Sequence, residues 1–233
     1  MVLLYGAHLL MQAVEDRKPP VDVGPSAFMN PGTLFSAKRE MRRTLEERRA
    51  QAASRDPDAA FKLRDRFLAE IILPPRSIVA AYSKIGSEMD PAPLAEALRA
   101  QGHVIVLPVI AKKGEPLVFR RAEPDDPFAK GTWGIREPLA TAPSLEPDIV
   151  LTPLLGFDRR FYRLGYGGGY YDRSLAELRR KKRIRAVGLA YAAQEVPEIP
   201  ADSSHDMQLD QVATEAAILT RPSLPPLVPP LLP

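Results

Sequence analysis

The chain has 233 residues, 45% of them apolar, enough for one domain of ordinary size with its own core. It contains no cysteine, which excludes disulfides, thiol nucleophiles and thiolate metal sites and fits a cytoplasmic location. A formal charge of +3 is too mild to demand nucleic acid and suits a small anionic ligand.

Residues 1–35 carry Pro19, Pro20, Gly24, Pro25, Pro31 and Gly32 with little periodicity, and read as a poorly ordered extension. Its start, Met1 to Met11, is apolar but lacks the basic residues of a signal peptide. No apolar run approaches the ~20 residues of a membrane-spanning helix. Ser36 is the expected cap of a first helix running to about Ala53. Met41 and Leu45 form its thin apolar stripe, and Lys38, Arg39, Arg42, Arg43, Arg48 and Arg49 crowd the other faces. Asp56-Pro57, a cap followed by proline, opens a second helix with Phe61, Leu68, Ile71 and Ile72 as its buried face, and Pro74-Pro75 stop it.

Ile78 to Tyr82 reads as a buried strand. Asp90-Pro91 starts a helix through Leu94, Ala97 and Leu98, closed by Gly102. His103 to Leu107, Leu117 to Arg121, Ile149 to Thr152 and Ile184 to Ala190 read as further strands, and Tyr171 to about Arg180 as a helix. The run from Pro222 to Pro233 is half proline and can be neither helix nor inner strand, so residues 220–233 are a tail. Between extension and tail, residues 36–219 alternate strand with helix. That order predicts a single-domain α/β fold: a mainly parallel, doubly wound, Rossmann-like sheet with helices on both faces. Ligands in such sheets gather at the carboxyl ends of the strands.

The stretch with chemistry in it runs Arg163-Leu164-Gly165-Tyr166-Gly167-Gly168-Gly169-Tyr170-Tyr171-Asp172-Arg173. Four of the five residues 165–169 are glycine. Glycine lets the backbone turn at positive φ and approach a ligand closely, and successive N–H groups in such a turn make an anion-binding hollow. A helix starting near Tyr171 would add its positive end. Arg163 can grip a phosphate with its planar fork, and Asp172 can hold a metal ion bridging phosphates. No Gly-Lys-Ser/Thr follows, so this is not a Walker motif, and its place after Pro153 to Tyr162 does not suit a dinucleotide fingerprint. On residues alone it is a phosphate-binding loop. An ATP-dependent enzyme, a small-molecule kinase and a non-catalytic nucleotide or nucleic-acid binding protein all stay open. The basic run Arg179 to Arg183 reads as a solvated helix end favoured by the dipole rather than a nucleic-acid patch.

The loop from Arg163 to Arg173 resembles the signature of the 5-formyltetrahydrofolate cyclo-ligase (5,10-methenyltetrahydrofolate synthetase) family. Other segments resemble that family in the same order: Ser36 to Arg42, Ser83 to Glu88, Thr132 to Pro138, Gly156-Phe157-Asp158, Gln194 and His205-Asp206. The resemblance covers about residues 36–215. It implies conversion of 5-formyltetrahydrofolate and ATP, with Mg2+, to 5,10-methenyltetrahydrofolate, ADP and phosphate.

By that resemblance Lys38 and Arg42, one turn apart on one helix face, reach the ATP phosphates. Arg163, Leu164, Gly165, Tyr166, Gly167, Gly168, Gly169, Tyr170 and Tyr171 hold the nucleotide, and Asp172 and Asp206 hold magnesium. Ser83, Glu88, Trp133, Tyr166, Gly169 and Tyr170 meet the folate, with Glu88 accepting from the pterin. Trp133, the one tryptophan, serves either pterin stacking or core packing. Arg39, Arg43, Arg48 and Arg49 are left as solvated charges, His8 and His103 as structural, and His205 as an orienter of Asp206. Two departures stand out: Gly168 occupies a place where some members carry lysine, and Phe161 one where glycine is common. No nucleic-acid or membrane partner and a monomeric chain are expected.

Overall fold

The computed structural model describes residues 31–131 and 134–222. The extension up to residue 30 with His8, the residue Trp133, and the tail from 223 onward lie outside the described residues.

Two helices come first, α1 (Pro31–Arg55) and α2 (Ala59–Glu70), then β1 (Ile78–Ala80), α3 (Ala92–Ala100), β2 (Val104–Val109) and β3 (Val118–Arg121). The short strands β4 (Phe128–Lys130) and β5 (Arg136–Pro138) pair with each other. Then come β6 (Ile149–Thr152), β7 (Gly156–Phe157), β8 (Arg163–Leu164), α4 (Tyr170–Lys181), β9 (Arg185–Leu189), β10 (Gln211–Ala213) and β11 (Ile218–Thr220). The main sheet has 7 strands in the order β11-β10-β9-β6-β1-β2-β3. Its inner neighbours pair parallel, and only β3 and β11 at the two edges run antiparallel.

Both faces of the sheet are covered, so its strands are apolar on both sides. Along β1 and β6 successive side chains alternate between two cores. Val79, Ile149 and Leu151 join Leu63 and Phe67 of α2 and Leu94 and Leu98 of α3. Ala80 and Val150 join Leu175 and Leu178 of α4. A third, smaller cluster seats Leu45 of α1 on Leu155, Leu164, Val196 and Ile199. The doubly wound α/β arrangement expected from the strand–helix alternation is therefore the one observed.

Several local expectations are corrected. Ser36 does not cap a helix, because α1 already runs from Pro31; residues 31–35 are helix rather than loose extension. The helix α2 begins after Asp58, and Asp56 uses its carboxylate on Lys62 instead of capping. The buried face of α2 is Ala59, Leu63 and Phe67, four apart, which leaves Phe61 49% exposed; Ile72, past the helix end, is 78% exposed, while Ile71 is buried as expected. Phe61 instead lies under the Arg64 guanidinium.

Taken in chain order the parallel strands lie 2-1-3-4-5, with β1 and β6 side by side and their connections leaving to opposite sides. In open sheets that reversal leaves a crevice beyond the carboxyl ends of the two strands, and ligands bind there.

Candidate active site

The chain enters the glycine loop through a braced hairpin of β7 and β8. Asp158, 1% exposed, fixes the turn: it accepts from the N–H groups of Arg160, Tyr162 and Ile199 and from the Arg160 side chain. Within this turn Phe161 has φ +67°, a left-handed conformation that bulky residues rarely adopt, which explains why glycine suits the position. Gln194 donates from its buried amide to the carbonyls of Leu154 and Leu155. The loop leaves through Gly169, φ +67°, at the N-terminus of α4. Gly167, φ +95°, passes under the Arg42 guanidinium, where a Cβ would stand 3.1 Å from its carbon.

This loop, the end of β1, the turn after it and one face of α1 enclose a cavity of about 540 Å³ at the strand reversal. It is lined by Lys38, Arg42, Ser83, Glu88, every residue from Arg163 to Asp172, and Asp206. The described residues singled out from the sequence thus come together around one hollow. Phe35, Ile85, Ile135 and Glu137 also line it. A second cavity, about 340 Å³, backs onto it through Tyr82 and Ser83.

The charged residues are paired across the cleft. Lys38 Nζ lies 2.6 Å from Asp206 Oδ2, which also accepts from the Asp202 N–H. Arg163 Nη2 lies 3.1 Å from Asp172 Oδ1, while its Nη1 donates to the Met207 carbonyl. Asp172 Oδ1 accepts from the Met207 N–H as well, so both residues tie the loop to the segment carrying Asp206. Arg42 donates from Nε to the Gly165 carbonyl at 2.8 Å. Burial lowers the Arg42 pKa, and the charge of Asp206 works against that.

Asp172 and Asp206 suit a hard divalent cation. The bonds above fall on one oxygen of each, Asp172 Oδ1 and Asp206 Oδ2, and both residues line the cavity, so each has a second hard oxygen to offer. Among the described residues no group of three His, Asp or Glu side chains could bind a metal by itself, so phosphates and water would complete the shell.

Glu88 is 2% exposed, and burial pushes its carboxyl up, against the Ile85 N–H, Arg49, Tyr166 and Lys84. Burial also drives the Tyr171 hydroxyl well above its ordinary range. Ser83 is partly exposed and donates to the Arg136 carbonyl.

One residue corrects the sequence reading outright. Arg49 is not a solvated charge: it is 2% exposed and bonded to Ser87 and Tyr166. The signal existed, because Lys38, Arg42, Leu45 and Arg49 follow i, i+4, i+7, i+11 and share one helix face. His205 does not orient Asp206; it is exposed and faces Asp202 and Ser204. The basic run at the end of α4 is matched by acids: Arg179 with Asp210, Lys181 with Glu146 and Glu177, Lys182 with Asp148. No helix among the described residues is long and apolar enough to cross a membrane.

A doubly wound sheet with a glycine loop and a charged cleft at its strand reversal defines an α/β enzyme domain. A model of the 5-formyltetrahydrofolate cyclo-ligase family matches residues 35–215, and the chain belongs to that family. It is 36% identical over 129 residues to the 5-formyltetrahydrofolate cyclo-ligase of Haemophilus influenzae, covering 53% of this chain and 68% of that protein. The cyclo-ligase of Escherichia coli is 32% identical over 145 residues, covering 60% and 79%. Among solved structures, a 5,10-methenyltetrahydrofolate synthetase from Mycoplasma pneumoniae superposes with TM-score 0.59 at 27% identity, over 76% of this chain and 98% of that one.

Proposed function

We propose that the chain uses ATP and magnesium to convert 5-formyltetrahydrofolate to 5,10-methenyltetrahydrofolate, releasing ADP and phosphate. The observation that carries this reading is the convergence of the described family-matched residues on one cavity, with partners as far apart as Lys38 and Asp206, 168 positions, in direct contact.

A formyl oxygen is a poor leaving group. Transfer of the γ-phosphoryl of ATP onto it lets N10 attack the formyl carbon. Inorganic phosphate then departs with that oxygen, and N10 sheds its proton. Such chemistry asks the protein for positioning and charge neutralisation rather than a nucleophile, so a chain without cysteine loses nothing. Lys38, Arg42 and Arg163 supply positive charge to the phosphates, and the backbone from Gly165 to Tyr171 with the start of α4 supplies N–H groups. Asp172 and Asp206 would hold Mg2+, which would neutralise phosphate charge when bound. Glu88 accepts from the pterin, with Ser83, Tyr166, Gly169, Tyr170 and Trp133 around the folate. A cytoplasmic monomer acting on small molecules completes the reading.

Methenyl product absorbs at wavelengths where the substrate does not, so one spectrophotometric assay with 5-formyltetrahydrofolate, ATP and Mg2+ tests it. ATP consumption without that absorbance would favour a small-molecule kinase; ATP binding without consumption would favour a binding protein. Arg163→Ala should remove about 2–4 kcal/mol of transition-state stabilisation while circular dichroism stays native. Near-normal kcat/KM in that variant would move the phosphates elsewhere.

A further inference from the structure

Arg49 does not line the cavity, yet it bonds to Tyr166 and stands beside Glu88, both of which do. Its Nη2 donates to the Tyr166 hydroxyl at 2.6 Å and its Nε to Ser87 Oγ at 3.1 Å. Its Nη1 stands 3.8 Å from Glu88 Oε1, too far for a hydrogen bond. Both side chains are 2% exposed, and these two facing atoms have no hydrogen-bond partner among the described residues. The other Glu88 oxygen accepts from the Ile85 N–H at 2.8 Å.

That geometry is informative. A close fork-to-fork pairing would occupy both carboxylate oxygens. Here the fork is turned toward Ser87 and Tyr166, so Glu88 gains a nearby positive charge while its buried Oε1 is left unbonded by the guanidinium. A buried guanidinium is costly, and where packing alone is needed α1 uses Leu45, one turn away. The remaining groups around Glu88 are the hydroxyls of Tyr82, Tyr166 and Tyr171 and the ammonium of Lys84. Tyr82 donates to the Met89 carbonyl, and Lys84 is exposed, so Arg49 is the buried cation of the set.

We propose that Arg49 is a positioning residue for the folate ring: it keeps Glu88 charged without bonding its Oε1, and it pins the Tyr166 ring and with it the glycine loop. This inference rests on the assignment of Glu88 and Tyr166 to the folate end of the cleft. The Tyr166 ring beneath the same guanidinium, 5.5 Å from centre to charge, adds a second hold on it.

Arg49→Met, Arg49→Lys and Tyr166→Phe test the idea. In Arg49→Met the KM for 5-formyltetrahydrofolate should rise at least about tenfold, the loss of one good polar contact, while the KM for ATP changes little. Without any ligand, a carbon-13 titration of Glu88, assigned with Glu88→Gln, should shift its midpoint upward in Arg49→Met and return toward the parent in Arg49→Lys. The folate effects of Arg49→Met and Tyr166→Phe should fall short of additive when combined. A lower melting temperature with unchanged folate KM and unchanged titration would overturn the proposal, as would an equal rise in both KM values. Should Arg49→Met not fold, Tyr166→Phe and Arg49→Lys carry the same readouts, and an unaltered folate KM in both overturns it. Absence of turnover in the parent enzyme would sink the function assigned above, whereas the ligand-free titration would still decide the coupling of Arg49 to Glu88.

Discussion

Glu88 is a carboxylate held where water hardly reaches, and on the folate assignment proposed above its protonation would link folding to ligand binding. Burial raises its pKa from the ordinary carboxylate value. For an acid raised in the folded state, the ionised form is what the fold disfavours. Its cost is present above the folded pKa and disappears as pH falls through it. Ligand acceptance runs the other way, because a protonated carboxyl loses an acceptor. As pH falls through the Glu88 pKa toward the ordinary carboxylate value, the KM for folate should climb while this group's destabilising effect on the melting temperature fades. Glu88→Gln should flatten both trends. A folate KM that ignores pH across that window would remove Glu88 from the pterin. The same scale shows why Arg49 escaped the sequence reading. Arginine is mostly exposed, and only the spacing from Lys38 and Arg42 marked its face.

At the scale of elements, two pieces meet at the cleft: α1, which carries the cations, and the loop that carries the N–H groups. They touch closely at Gly167, φ +95°, where Arg42 lies over the backbone. Gly167→Ala should cost about 1–2 kcal/mol in left-handed strain and push Arg42 aside. Chemical denaturation would read the first effect and a raised KM for ATP the second; a variant with parent-like values for both would show the loop conformation to be unneeded. Another close approach seats α1 itself. A Cβ on Gly156 would stand 2.5 Å from Leu45 Cδ1, so the hairpin can press against the helix only as glycine. Legibility from sequence followed the length of the apolar run, which for the three-residue β1 extends to Tyr82. Ile149 to Thr152 and Ile184 to Ala190 were apolar runs long enough to read as buried strands. The two-residue strands β7 and β8, and β4, β5, β10 and β11 at three residues each, show no period to detect. Phe61 and Ile72 misled because Leu63 and Phe67, four apart, offer a competing apolar face, and the helix ends before Ile72.

For the whole molecule, alternating strands and helices sufficed to anticipate a two-faced sheet, because buried parallel strands write themselves as unbroken apolar runs. The pairing order, which places the cleft between β1 and β6, was not legible: contacts between distant segments leave no local pattern. The family match opens at residue 35, whereas α1 is already formed at Pro31, and Phe35 lines the cavity. A chain lacking residues 1–30 should therefore melt and turn over like the full one, and a chain cut after Phe35 should bind its ligands more weakly. Thermal melts with steady-state kinetics on both would check this. Collapse of the shorter truncation would assign a structural duty to the first thirty residues.

The paired charges spanning the cleft make ligand entry an exchange. Lys38 already has Asp206, and Arg163 already has Asp172, so an incoming anion meets cations that are engaged. A bare anion that takes the two bases strands two carboxylates. A visitor bringing phosphate oxygens together with its own counter-cation re-satisfies all four side chains at once. On the phosphate assignment proposed above, the resting electrostatics would act as a selectivity filter, admitting ligands that arrive with both signs of charge over those that carry only one.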